Sequence, residues 1–186
     1  GFYHSNEMKA RNLPNDQYLT RAYEGIMGRG PDAGGYAYWM GQLEAGMSRA
    51  YLVSGFLQSN EFDALCRSYG ITKGSYSSTE PREQNAGVTG FVSRLYTTLL
   101  GRMYDENGLN YWCSIILKDP VRATLLKVTL EGFLHSNEFL NSRLGDMAYV
   151  KVLCRTFLGR EADPGGLQYW MSNLTSGMTR DKVAEG

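Results

Sequence analysis

The chain lacks several things that would narrow its function at once. It has no surplus of either charge: nineteen basic residues balance nineteen acidic ones. A nucleic-acid binder usually carries a basic excess to neutralise phosphates, so no nucleic-acid partner is expected. No apolar run approaches the roughly eighteen residues that span a bilayer, so no membrane insertion is expected. Cysteine is sparse and odd in number: Cys66, Cys113 and Cys154 make neither a disulfide framework nor a zinc knuckle. Histidine is limited to His4 and His135. Sustained period-two apolar runs, the mark of strands, are nearly absent. The opening Gly1-Phe2-Tyr3 has neither an initiator Met nor the basic and apolar regions of a signal peptide, and reads as the start of a piece of a longer protein.

Glycine, at 22 residues, and tyrosine, at 13, are abundant beside an apolar fraction of 42%. With this much Leu, Phe and Trp the glycines read as punctuation between helices, not as low complexity. They recur in register. Gly28-Arg29-Gly30-Pro31-Asp32 aligns with Gly101-Arg102-Met103-Tyr104-Asp105 and Gly159-Arg160-Glu161-Ala162-Asp163. Seven positions after each Asp stands a Trp, at Trp39, Trp112 and Trp170, preceded by Tyr38, Tyr111 and Tyr169. A second signature lies between these. Gly1-Phe2-Tyr3-His4-Ser5-Asn6-Glu7-Met8 matches Gly55-Phe56-Leu57-Gln58-Ser59-Asn60-Glu61-Phe62 and Gly132-Phe133-Leu134-His135-Ser136-Asn137-Glu138-Phe139. The expected fold is all-α: three tandem helical repeat units of about four short helices each, packed into one array. The units are 1–58, 59–135 and 136–186, the second carrying a long polar connection over 68–89.

Within a unit, Tyr18, Leu19, Ala22, Tyr23, Ile26 and Met27 form one helical stripe. Phe91 to Leu100 and Tyr149 to Leu158 repeat it. Gly28, Gly101 and Gly159 end that helix, and Asp32, Asp105 and Asp163 cap the next. This second helix is expected to bury Tyr36, Trp39, Met40 and Leu43 and their equivalents, and to end at Gly46 and Gly177. Ser48 and Thr179 cap a third helix. Ser5, Ser59 and Ser136 cap a fourth, which acts as a joint between units. Extra residues around Lys118-Asp119-Pro120 imply a loop or kink.

The run Leu95 to Trp112, with Gly55 to Phe62 and Glu80-Pro81-Arg82-x-Gln84-Asn85, resembles a bacterial repeat family filed as domain of unknown function 4214. The Gly-Arg-x-x-Asp pattern is also similar to phycobilisome linker domains. Cys154 departs from the family's usual aromatic, and Met8 from its usual Phe. The first resemblance implies a secreted or cell-surface setting, with adjacent domains of a longer protein as neighbours, and neither resemblance implies a catalytic residue or cofactor.

Repetition argues against catalysis. His4 and His135 occupy equivalent positions, and Cys113 and Cys154 replace core residues, so a Cys–His enzyme is not expected. Asp105-Glu106-Asn107-Gly108 suggests a calcium loop only until its equivalents are compared, for they lack the other oxygens. Arg29, Arg102 and Arg160 read as helix-end charges pairing with the nearby Asp, and Trp39, Trp112 and Trp170 as core. Features that differ between units are better ligand candidates: Tyr69 and Tyr76 on the polar connection, with Arg102, Asp105 and Asn107. The expected function is a non-catalytic extracellular binding module for a glycan or host glycoprotein. The alternative is a structural spacer or assembly linker, and a hydrolase or transferase domain is a distant third.

Overall fold

A computed structural model describes residues 13–186, so the expectations for His4 and the Ser5 cap lie outside the described residues. Every described element is helical. The helices are α1 (Asn15–Ala22), α2 (Ala33–Glu44), α3 (Arg49–Gln58), α4 (Asn60–Ser68), α5 (Ala86–Arg94), α6 (Glu106–Lys118), α7 (Arg122–Lys127), α8 (Asn137–Leu140), α9 (Asp146–Leu158), α10 (Pro164–Thr175) and α11 (Arg180–Glu185). They fall into two compact bodies, one ending at Ala86 and the other running from Gly87 to Gly186. The first holds α1 to α4 and the second holds α5 to α11 around one common core; α4 and α8, which the unit bounds 59–135 and 136–186 place at the start of the second and third repeats, each also pack on the repeat before.

The helix boundaries follow from a few residue types. Asp32, Asp105 and Asp163 each accept a hydrogen bond from the backbone N–H three residues on, at 2.8, 2.7 and 2.8 Å, satisfying a donor of the first turn. Ser48, Ser59, Ser136 and Thr179 do the same for α3, α4, α8 and α11. Gly28, Gly101 and Gly159 leave the preceding helix with φ of 69°, 69° and 64°, a conformation that costs a side-chain-bearing residue roughly 1–2 kcal/mol.

Two features were not anticipated. α1 and α5 do not run on as regular helix but continue as π-helical turns at Tyr23–Met27 and Leu95–Leu99, while α9 stays regular. Tyr36, expected to be buried, is 37% exposed, whereas its equivalent Leu109 is fully buried. A Tyr on that rim keeps its hydroxyl in water, which Leu gains nothing from doing.

Each repeat is keyed by a tryptophan. The six-membered edge of Trp39 lies against Gly55 on α3, where an added Cβ would sit 2.1 Å from the ring. Trp112 lies against Gly132 and Trp170 against Gly186, with corresponding separations of 2.7 and 2.3 Å. Phe56 then packs edge-on to Trp39, with centroids 5.4 Å apart, and to Tyr23 at 4.5 Å. Phe133 packs edge-on to Tyr96 at 5.1 Å and against a tilted Trp112 ring at 5.4 Å. Phe56 and Phe133 are 2% and 1% exposed, so each is the plug of its repeat.

The connection after α4 is ordered against the first body. Gln58 Nε2 donates to the Tyr76 carbonyl at 3.0 Å, Lys73 Nζ to the Gln58 carbonyl at 3.2 Å, and the Ser48 hydroxyl to the Glu83 carboxylate. At the insertion, α6 stops at Lys118 and the chain turns through Asp119 to α7.

The tryptophan contact makes a signed prediction. Gly55→Ala should destabilise the first body by roughly 1–3 kcal/mol, because the indole cannot fold away from the new methyl. Gly41→Ala, where nothing lies within 4 Å of the added carbon, should instead stabilise it by about 0.5–1 kcal/mol through helix propensity. Urea unfolding of the full chain, followed by tryptophan fluorescence, distinguishes the two signs.

Candidate functional site

The recurring charged residues are occupied inside the repeat. Arg29 makes a two-pronged contact with Glu61 of α4, Nε to Oε1 at 2.6 Å and Nη2 to Oε2 at 2.8 Å. Arg102 does the same with Glu138 of α8, at 2.5 and 3.1 Å. Glu61 and Glu138, the glutamates of the second and third Ser-Asn-Glu signatures, therefore clasp back onto the Gly-Arg turn before them. Both guanidinium groups also lie over a tyrosine ring, Arg29 over Tyr23 at 5.2 Å and Arg102 over Tyr96 at 4.9 Å. The sequence pairs these arginines with the neighbouring Asp and with carbonyls at the helix end, and the structure adds a glutamate for Arg29 and Arg102. Arg29 and Arg160 do lie 3.4 Å from Asp32 and Asp163, but the closer partner of Arg29 is 32 residues away.

α8 also reaches forward. Phe139, 6% exposed, meets the ring of Tyr149 in the third repeat, with centroids 6.1 Å apart. One short helix thus holds the second repeat by Glu138 and the third by Phe139. Tyr149 is itself capped by Arg180, 4.9 Å above its ring, and its hydroxyl donates to the Arg180 carbonyl at 2.9 Å. Burial pushes the Tyr149 phenol up to about 12.

The five candidate ligand contacts are divided between the two bodies. Tyr69 and Tyr76 belong to the first body; Arg102, Asp105 and Asn107 belong to the second. Tyr69 is 73% exposed, and Tyr76 lines a groove of about 430 Å³ with Gln58, Lys73 and Ser75. Arg102 is committed to Glu138 and Asp105 to its cap, while Asn107 is exposed on the first turn of α6. Trp39, Trp112 and Trp170 are half-buried and face the interior. The tyrosines before them, Tyr38, Tyr111 and Tyr169, are more than half exposed, each edge-on to its Trp. The sequence held this signal, since one helical step turns a side chain by about 100° away from its neighbour.

No group of three metal-ligating side chains occurs among the described residues, and no described helix is long and apolar enough to cross a membrane. His135 Nε2 lies 3.1 Å from both carboxylate oxygens of Asp181 on the surface. Cys66 and Cys113 are buried, and burial pushes the half-buried Cys154 thiol up. The cavity of the second body is apolar: about 390 Å³, lined by Cys154, Phe157, Trp170, Val183 and their neighbours.

The clasps set an acid limit on stability. Hydrogen bonds from Arg29 and Arg102 hold the Glu61 and Glu138 carboxyls below their ordinary range, and the backbone N–H groups of Gly35 and Gly166 do so for Asp32 and Asp163. A carboxyl depressed in the folded state adds stability above its unfolded value, which is lost as pH falls through the folded one. Thermal midpoints should be level from pH 7 to about 5 and drop below about 4. The double variant Glu61→Gln/Glu138→Gln should start lower at neutral pH and fall less steeply. An unchanged slope in that variant would refute the assignment.

Three segments of the chain match one family profile, described as a domain of unknown function (DUF4214): residues 1–66, 74–142 and 130–186. The last two overlap over the stretch that holds α8, the helix shared by the second and third repeats. No curated protein and no solved structure gives a significant match, and the likeness to phycobilisome linkers gains no support from these comparisons. With nearly its whole length matched in three consecutive copies, the chain belongs to the domain of unknown function 4214 family.

Proposed function

We propose that the chain is a non-catalytic assembly module, a helical repeat whose partners are like helical units, within a larger protein or between proteins. One observation carries this reading. The recurring charged and aromatic groups serve repeat-building contacts, while the half-open cavity of the second body is walled mainly by apolar, fold-building side chains with Arg122 among them. An enzyme needs titratable groups converging on a pocket, and a site of that kind has no support among the described residues. The extracellular or cell-surface setting implied by the family resemblance suits a spacer or connector in a surface protein.

A second reading is glycan or glycoprotein recognition. The groove beside Tyr76 favours it, since a tyrosine face beside an amide and hydroxyls is the chemistry that holds a sugar ring. Against it, the Gln58 amide is already engaged by the Ser54 hydroxyl at 2.7 Å and by the Tyr76 carbonyl.

Sedimentation velocity over a concentration series, run beside a glycan and mucin array, separates the two. The assembly reading expects concentration-dependent self-association and a silent array. Saturable glycan binding that is abolished by Tyr76→Ala, from a chain that stays monomeric, would replace it with the second reading.

A further inference from the structure

The groove beside Tyr76 has no counterpart in the second repeat. Its floor is Leu57, half-buried where the equivalent Leu134 is 3% exposed, and its wall is the chain from Lys73 to Ser77. Glu131 and His135 stand where the first repeat has Ser54 and Gln58, and the chain passes from α8 to α9 through residues 141–145 with no equivalent of that wall. The wall is held from α3. The Tyr76 carbonyl accepts from Gln58 Nε2 at 3.0 Å and from the Ser54 hydroxyl at 3.5 Å, and the Gln58 carbonyl accepts from Lys73 Nζ at 3.2 Å. Donors are left over. Among the described residues, the Ser75 and Ser77 hydroxyls and the backbone N–H groups from Gly74 to Ser77 donate to no protein acceptor. Lys73 brings a full positive charge, its described partner is a neutral carbonyl, and no described Asp or Glu lines the groove. At about 430 Å³ the groove lies in the range of small-ligand pockets, roughly 300–1,000 Å³. A neutral sugar would draw on the Gln58 amide, whose Nε2 is spent on Ser54 and Tyr76. A carboxylate presents acceptors only, and meets the surplus of donors.

We infer that this groove holds a sugar ring that carries a carboxylate, a uronic or sialic acid residue. The inference rests on glycan recognition as the reading of the groove, and names its ligand class. The carboxylate pairs with the Lys73 ammonium in a charge-assisted contact. The Ser75 and Ser77 hydroxyls and the free N–H groups beside them serve its remaining lone pairs and the ring oxygens. The Tyr76 ring, 41% exposed, and the open part of Leu57 meet the C–H face of the sugar, an apolar contact that a bare anion cannot make. The Gln58 amide, which counts against a neutral sugar, becomes a positioning group. It holds the Tyr76 carbonyl, and so the wall, without having to reach the ligand.

The test is an NMR titration of the isotope-labelled full chain with the methyl glycosides of glucuronic, galacturonic and N-acetylneuraminic acid, each beside its neutral methyl ester, and with sodium acetate. At least one of the acids should bind with a dissociation constant on the order of 1 mM, and its amide shifts should centre on residues 57–58 and 73–77. Its ester and acetate should each bind about 10-fold more weakly. Lys73→Met should cost the acid the same factor and leave the ester unchanged, while Lys73→Arg keeps most of the affinity. Tyr76→Ala should weaken acid and ester alike, by about 3- to 10-fold. The comparison of acid with ester leaves the chain unaltered, so misfolding cannot imitate the result. Equal binding of acid and ester, or an acid that ignores Lys73→Met, would overturn this inference and leave glycan recognition standing. Acetate binding as tightly as the acids would overturn the sugar ring. No shift with any acid or ester up to about 30 mM would overturn the inference, and with a silent glycan array would overturn glycan recognition as well.

Discussion

The contact on which the rest of each repeat depends is an indole edge laid on a glycine. Trp39 on Gly55, Trp112 on Gly132 and Trp170 on Gly186 set how closely the second helix of a repeat approaches the third. Any side chain at the glycine would push the helices apart, so the position is fixed by space and not by backbone conformation. These three glycines carry no positive φ, unlike Gly28, Gly101 and Gly159, whose role is conformational. With the indole seated, a phenylalanine on the following residue closes the core from below in the first two repeats.

The second layer is electrostatic and weaker. Arg–Glu clasps join the Gly-Arg turn of one repeat to the helix that follows it. The pairs are close to half exposed, so each is worth little alone. Their value is geometric: a two-pronged contact fixes the direction from which the fourth helix leaves. In the second body that helix, α8, then presents Phe139 to Tyr149, so its position is set from both sides.

Much of this was legible in the sequence because it is local. The Asp and Ser caps act over three residues, and the glycine stops act on one, so motif and structure coincide. The repeat phase was legible because the same residues recur at fixed spacing. What escaped was long-range or subtle. The glutamate partner of Arg29 is 32 residues away, and nothing local distinguishes it from Asp32. The π-helical turns at Tyr23 and Leu95 shift the helix face by a fraction of a turn, below what apolar spacing resolves. Tyr36 and Leu109 share a position in the repeat yet differ in burial, because an aromatic with a hydroxyl can lie along a rim that an aliphatic side chain must cover. The candidate ligand set was chosen for divergence between repeats. Its members proved to be divided between two bodies, and the most divergent feature was instead Cys154 at a position held elsewhere by tyrosine.

The glycine under each tryptophan makes room for the ring. A double-mutant cycle between Trp39 and Gly55, read by urea unfolding, tests it directly. With Trp39 present, Gly55→Ala should destabilise the chain; in a Trp39→Leu background the same change should stabilise it, by up to about 1 kcal/mol of helix propensity. The same loss in both backgrounds would contradict the account, and would mean that Gly55 is required for something other than the ring above it.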